Sequence, residues 1–304
     1  MATGRFAPTP SGPLHVGNLR TALVAWLSAR SAGSRFVLRL EDLAVPGAEA
    51  VAGGQVADLD RLGIDHDGPV ISQLDHPERY TAAIAHLEGA GLTYPCYCSR
   101  REVREAGQAP HGPAPEGVYP GTCRDLSAAE RKVRSRAGRP PALRLRSTRE
   151  PETIVDRRRG PVTVIVDDLV LLRGDGVPSY NLAVVVDDAA DGVAEVVRGD
   201  DLLLSSPRQA YLARTLGLTP PAYAHVPLVL GPGGDRLAKR DGAVTLAQRE
   251  ARGDTPASVR AALAASLGLA EPGELVSMAD LVGRFDPDRV PGDPWQPDPS
   301  WQAG

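Results

Sequence analysis

The stretch from Arg5 to Asn18, Arg-Phe-Ala-Pro-Thr-Pro-Ser-Gly-Pro-Leu-His-Val-Gly-Asn, restricts the possible folds more than any other part of the chain. Its start reads as a strand. Its middle is too rich in proline and glycine to be anything but a loop. From near Gly17 the sequence Leu-Arg-Thr-Ala-Leu-Val-Ala-Trp-Leu reads as a helix. A strand that empties through such a loop into a helix gathers unpaired backbone N–H groups at the positive end of the helix dipole. That arrangement is an anion site, and phosphate is the expected occupant. His15 and Asn18 stand at its mouth as side-chain donors.

The pattern that follows predicts an α/β chain. A strand over 35–40 ends in Glu41-Asp42, helices cover 48–62 and 77–90, and Gly63 and Gly91 stop them. The βαβα order favours a parallel sheet, whose ligands sit beyond the C-terminal ends of its strands. Between 92 and 167 the style changes to a Gly/Pro-rich loop with short strand candidates at 142–146 and 162–166, as in an insertion. The parallel pattern is expected to return with strands at 169–173, 182–186, 194–198 and 226–230 and a helix over 207–216. Helices over 256–267 and 278–285 then lead into a Pro/Asp/Trp tail. The expected architecture is a Rossmann-like nucleotide-binding domain in two halves, 1–91 and 168–250, split by an insertion at 92–167, with a short helical extension at 251–304.

No apolar run is long enough to span a membrane, and the N-terminus lacks a signal peptide's hydrophobic segment, so a cytoplasmic monomer is expected. The net charge of −4 hides a basic stretch that includes Arg131, Lys132, Arg134, Arg136, Arg139, Arg144, Arg146, Arg149, Arg157, Arg158 and Arg159. This is either an RNA-facing patch or a solvated face. The three cysteines, Cys96, Cys98 and Cys123, all lie in the insertion. So clustered, they suggest structural zinc, although reduced thiols without metal remain the alternative. By chemistry alone His111 is the ordinary fourth ligand. Of the 34 Lys and Arg residues only Lys132 and Lys239 are lysines, so Lys239 in Arg236-Leu237-Ala238-Lys239-Arg240 stands out as a compact point charge suited to phosphate.

Taken together, Arg5 to Asn18 and the Lys239 loop resemble the two signatures of class I aminoacyl-tRNA synthetases in the form used by the glutamyl and glutaminyl branch. Arg198-Gly199-Asp200-Asp201 and Ser206-Pro207-Arg208-Gln209 fit the same branch, and the resemblance covers roughly residues 5–245. It implies in-line attack of a glutamate α-carboxylate on the α-phosphate of ATP, with Mg²⁺ accompanying the nucleotide and catalysis mainly by positioning and electrostatics. His15, Asn18 and Lys239 are then the implied catalytic residues. Ser11, Gly12, His15, Gly17, Asn18 and Lys239 are implied for ATP, and Arg5, Phe6, Ala7, Pro8, Thr9, Glu41, Tyr180 and Arg198 for glutamate, with Glu41 on its α-ammonium. Tyr180 and Arg198 are both expected at strand ends.

Two features resemble one subfamily, the glutamyl-Q tRNA(Asp) synthetases. The chain has about fifty residues where a full glutamyl-tRNA synthetase continues into an anticodon-binding domain, and its cysteine segment matches a zinc site completed by a tyrosine. The resemblance therefore implies Cys96, Cys98, Tyr119 and Cys123 as zinc ligands, and transfer of glutamate to queuosine at the wobble position of tRNA(Asp). A short synthetase charging an ordinary 3′ end, or a non-catalytic tRNA-binding relative, are the competing readings. Asn18 where many relatives have His, Thr9 in place of Ser, Ala238 without a hydroxyl, and Leu43-Ala44-Val45-Pro46-Gly47 without the further Asp and Arg common in the family depart from the pattern.

Overall fold

The computed structural model describes residues 2–107, 118–136, 138–231, 234, 244–298 and 301. Strand β1 (Thr3–Phe6) is an interior strand, third of seven, in the main sheet, flanked by β2 (Arg35–Leu40) and, far along the chain, β9 (Val193–Gly199). Both neighbours run parallel to it. Helix α1 (Val16–Ser31) joins β1 to β2 and buries ten of its residues, from Val16 through Ala29, which is why it is apolar nearly all round rather than along one stripe. It lies so close to β1 that a Cβ on Gly4 would meet Ala29 Cβ at 2.8 Å. Helix α2 (Ala48–Leu62) ends in a left-handed Gly63 and is followed by the short edge strand β3 (Ile71–Ser72) and α3 (Pro77–Gly89).

The insertion begins with β4 (Thr93–Cys96), α4 (Arg100–Gly107) and α5 (Ala128–Ser135). β5 (Ala142–Leu145) then pairs antiparallel with β4. The hairpin of β6 (Pro151–Asp156) and β7 (Gly160–Ile165) does not join that small sheet. It extends the main sheet, through β6 beside the later β10 (Ala222–Val226). Conversely β8 (Val170–Leu172), expected to resume the parallel pattern, pairs antiparallel with β5 in the small sheet. The seven-stranded order is β3-β2-β1-β9-β10-β6-β7.

A second expectation is overturned. Residues 182–186 are not a strand but part of α6 (Tyr180–Ala190), and Tyr180 opens this helix instead of ending a strand. Ser179 caps it, its side chain accepting from the Leu182 N–H. The final parallel strand is β10, a few residues before the expected 226–230. Helix α7 (Ser206–Thr215) packs against α6, and α8 (Leu246–Glu250), α9 (Pro256–Ala265) and α10 (Met278–Arg284) close over α1 and α2. No helix among the described residues is long and apolar enough to cross a membrane.

The basic stretch is largely engaged within the chain. Arg157 pairs with Glu195, Arg159 with Asp200, and Arg158 donates to the backbone carbonyls of Pro287, Val290 and Pro291. An RNA-facing role therefore does not follow for these three, which tie the β6–β7 hairpin to the sheet and to the C-terminal segment.

Beneath the parallel strands lies a buried ionic knot. Asp188, near the end of α6, accepts from Arg39 of β2 at 2.6 Å and from Arg5 of β1 at 3.3 and 3.4 Å. Arg39 also reaches Asp191 at 2.8 Å. Burial would push the Asp188 carboxyl up, yet the two guanidiniums hold it below the usual carboxylate range. Asp188→Ala, which takes the carboxylate partner from buried Arg5 and leaves Arg39 with Asp191, is expected to cost about 3–5 kcal/mol in denaturant unfolding; a loss under about 1 kcal/mol would contradict this account of the knot.

Candidate active site

The cavity lies where the strand order reverses, beyond the C-terminal ends of β1 and β9, as open α/β sheets dictate. It encloses about 600 Å³ and is lined by Arg5, Phe6, Ala7, Pro8, Thr9, Ser11, Gly12, His15, Gly17 and Asn18, together with Glu41, Tyr180 and Leu228–Val229. Thus one concavity gathers the residues expected at the first loop and the carboxylate that follows β2. The loop is fixed at both ends. Gln55 of α2 donates to the carbonyls of Thr9 (3.2 Å) and Gly12 (2.7 Å), and the Glu41 N–H donates to Pro8 O at 3.0 Å.

His15 caps α1. Its Nδ1 accepts from the N–H groups of Gly17 (3.1 Å) and Asn18 (3.4 Å), and Asn18 Oδ1 accepts in return from the His15 N–H at 3.1 Å. A ring whose Nδ1 accepts carries its proton on Nε2, where it is a donor suited to an anion at the helix terminus. Gly17 is part of this cap, for an added Cβ would sit 3.0 Å from the His15 ring. Lys239, Arg236 and Ala238 lie outside the described residues. The flanks of that segment do not. Val244 O accepts from Val16 N–H at 2.9 Å at the mouth of α1, and Val229 lines the cavity.

The floor is of mixed charge. Glu41 sits among guanidiniums, and burial, working against the attraction of Arg39 and Arg5, pushes its carboxyl up to about 7. Arg5 is held from behind by Asp188 and the Val197 carbonyl. Arg198 comes, as expected, from the end of β9. It is buried and does not itself line the cavity. It stands behind Tyr180, donating to that hydroxyl at 3.3 Å, and its other N–H groups go to Ser206 Oγ (2.6 Å), Leu202 O (3.3 Å) and His225 Nε2 (3.1 Å). A floor that carries one carboxylate and one guanidinium, Glu41 and Arg5, suits an ampholyte such as an amino acid.

A second cavity of about 1260 Å³ shares Thr9, Glu41 and Tyr180 with the first and runs toward the insertion, between Cys98–Arg100 and the Asp167–Arg208 pair. Its lining includes Cys98, one of the three clustered cysteines. The sulfurs of Cys96, Cys98 and Cys123 lie within 4.8 Å of one another. Cys98 and Cys123 sulfurs are 3.6 Å apart, and the Tyr119 hydroxyl is 3.4 Å from Cys96 and 4.0 Å from Cys98. A tetrahedral ion with ordinary zinc–sulfur and zinc–oxygen bonds would set sulfur–sulfur edges at about 3.8 Å and sulfur–oxygen edges at about 3.5 Å, close to these three contacts. The Arg144 guanidinium lies 3.6 Å from the centre of the Tyr119 ring. Burial works against the Cys96 thiolate, but the Tyr119 hydroxyl and Arg144 together hold its pKa below the ordinary thiol value. Burial and the neighbouring sulfurs push Cys98 up to about 12. His111 lies outside the described residues. Gln55, Asp188 and His225 are not among the residues expected at the site: Gln55 and His225 are single polar residues without a motif around them, and Asp188 lies in a stretch that reads as a buried strand.

Comparisons with known proteins agree with this geometry. A family model described as tRNA synthetases class I (E and Q), catalytic domain, matches residues 1–297. The chain is similar to the glutamyl-Q tRNA(Asp) synthetase of Nocardia farcinica, with 60% identity over 294 residues, 96% of this chain and 92% of that one. It is 48% identical over 307 residues to the protein of the same name from Symbiobacterium thermophilum, covering 97% of this chain and 95% of that one. Among solved structures it is similar to a glutamate tRNA ligase from Elizabethkingia meningosepticum in complex with its amino acid. The TM-score is 0.80 and the identity 26%, with 97% of this chain matched; the chain spans 66% of the length of that protein.

The cluster generates a direct expectation. The purified protein should carry close to one equivalent of a thiophilic divalent metal per chain by elemental analysis, and Cys123→Ser should lose it. A wild-type content below about half an equivalent would speak against a closed site.

Proposed function

The chain belongs to the class I tRNA synthetases of the glutamate and glutamine branch, and on that premise we propose that it uses ATP to activate L-glutamate and then transfers the glutamate to queuosine in the anticodon of tRNA(Asp). The observation that carries this reading is the combination, in one cavity, of a capped helix N-terminus with a floor of mixed charge. Few ligand pairs need both. A nucleoside triphosphate beside an amino acid does.

In this reading the Glu41 carboxylate takes the α-ammonium of glutamate. Arg5, held rigid by Asp188, takes a carboxylate, and Tyr180 takes another with Arg198 behind it. Phe6, Ala7, Pro8 and Thr9 shape the wall. The N–H groups opening α1, the His15 Nε2–H, and the loop at Ser11, Gly12, Gly17 and Asn18 receive the ATP phosphates. The glutamate α-carboxylate oxygen attacks the α-phosphorus as the bond to pyrophosphate breaks. Lys239 is assigned to the leaving pyrophosphate, and Mg²⁺ arrives with the nucleotide. What these residues supply is alignment and charge already in place, the main sources of rate in such a displacement.

The second cavity supports the transfer step. It meets the first at Thr9, Glu41 and Tyr180, so a nucleoside entering from the side of the insertion would reach the activated carboxyl. Its hydroxyl would attack the acyl carbon and release AMP. Zinc, held by Cys96, Cys98, Tyr119 and Cys123, is assigned a structural role, fixing the wall of that cavity through Cys98 and Arg144.

Two measurements test the proposal. With labelled glutamate, ATP and queuosine-containing tRNA(Asp), label is expected in the anticodon fragment after cleavage. Label at the 3′ end would favour a conventional synthetase, and the absence of glutamate-dependent pyrophosphate exchange would favour a non-catalytic relative. The KM for glutamate should also follow the ionisation of Glu41. The carboxyl is neutral below about 7 and cannot pair with an ammonium, so KM is expected to be roughly tenfold higher at pH 6 than at pH 8. Glu41→Gln should raise KM throughout and flatten that profile.

A further inference from the structure

His225 is fully buried at the end of β10, directly across from Arg198 of β9 in the parallel register. Its Nδ1 lies 2.6 Å from Asp156 Oδ2 of β6, and the same carboxylate accepts the His225 backbone N–H at 3.1 Å. A carboxylate so placed accepts the Nδ1–H. This leaves the Nε2 lone pair as an acceptor, and Arg198 Nε donates to it at 3.1 Å. Ser206 Oγ stands 3.2 Å from the same nitrogen and 2.6 Å from Arg198 Nη2. Burial, together with the Arg198 charge, holds the imidazole below its usual pKa in spite of Asp156, which keeps it neutral. The chain of contacts then runs from Arg198 Nη1 to the Tyr180 hydroxyl, and Tyr180 lines both cavities.

We infer that Asp156 and His225 are positioning residues for amino-acid recognition: they fix the plane of the Arg198 guanidinium, and through it the Tyr180 hydroxyl, for the carboxylate that enters the cavity. A guanidinium is a planar fork, useful only when its plane is set. With Nε pinned by an imidazole acceptor and Nη2 by Ser206 and Leu202 O, the remaining edge at Nη1 points to Tyr180. The histidine therefore acts on the ligand two side chains away, without touching it. A core histidine serving stability alone would need no acceptor role toward a cation. Neutral Nε2 is the only state of this ring that accepts from Arg198.

The inference rests on the proposed amino-acid site, and the test separates the two. Glutamate-dependent pyrophosphate exchange is measured for His225→Gln, which retains an acceptor toward Arg198, and for His225→Asn, which reaches Asp156 but not Arg198. Thermal unfolding is recorded alongside. His225→Asn is expected to raise the KM for glutamate about tenfold, as for a lost hydrogen bond to a charged group, with the KM for ATP within about twofold of wild type. His225→Gln is expected within about threefold of wild type for both substrates. Ser206→Ala, a smaller change at the same guanidinium, should shift the glutamate KM in the same direction and carries the test if His225→Asn does not fold. Arg198→Lys is the control: if it leaves the glutamate KM unchanged, the amino-acid site itself is misassigned. If Arg198→Lys raises that KM while His225→Asn and Ser206→Ala do not, or if Gln and Asn at 225 lose activity equally and in step with stability, the positioning role is overturned.

Discussion

The site depends on one shared carboxylate. Asp188 accepts from Arg5 and Arg39, and both guanidiniums are too deeply buried to be left unpaired. This single residue joins β1, β2 and α6 under the cavity floor, and it decides which way Arg5 faces. It also sets the electrostatics of the ligand side. With Asp188 committed to the arginines, Glu41 is left as the carboxylate that burial pushes up toward neutrality. Helix α6 contributes at both ends, Tyr180 at its first turn and Asp188 two turns later, so the wall and the floor of the site move as one element.

The insertion shows a different economy of forces. Its core is small, built around Tyr94, Cys96, Tyr119 and Cys123. A cluster of that size buries too little apolar surface to fix a fold by itself. Polar hubs substitute. Asp168 accepts from Tyr94 at 2.6 Å, from the Ser147 N–H at 2.9 Å, and from Arg124 and Arg149, while Tyr119 N–H is held by Asp167 at 2.8 Å. The cysteine cluster sits at the end of this network, where a metal would add most to rigidity.

How much of this was legible in the sequence depends on the range of the signal. The loop from Arg5 to Asn18 is legible because a strand, a turn and a capped helix are encoded within fourteen neighbouring residues. Glu41 follows from the end of its strand, and the cysteines from their spacing. Residues 182–186 mislead, because Val184-Val185-Val186 reads as strand content. What overrides it is Ser179 as a cap and burial of the helix on several sides, including Asp187 and Asp188, whose partners are more than a hundred residues away in sequence. The β6–β7 hairpin is similar: its place in the main sheet comes from pairing with β10, a contact that local periodicity does not carry. His225 looks like a core histidine until Arg198 is found opposite it.

The bond between Val16 N–H and Val244 O, at the mouth of α1, has a consequence for the residue that follows from chain connectivity alone. Lys239 is five residues from Val244, so its Cα can never be more than about 17 Å from that anchor. In the role proposed above, that tether would offer its ammonium to a phosphate at the start of α1 at an effective concentration on the order of tens of millimolar. For that proposed role, the short leash to Val244 gives a physical reason why one lysine suffices in a chain that otherwise uses arginine nearly everywhere.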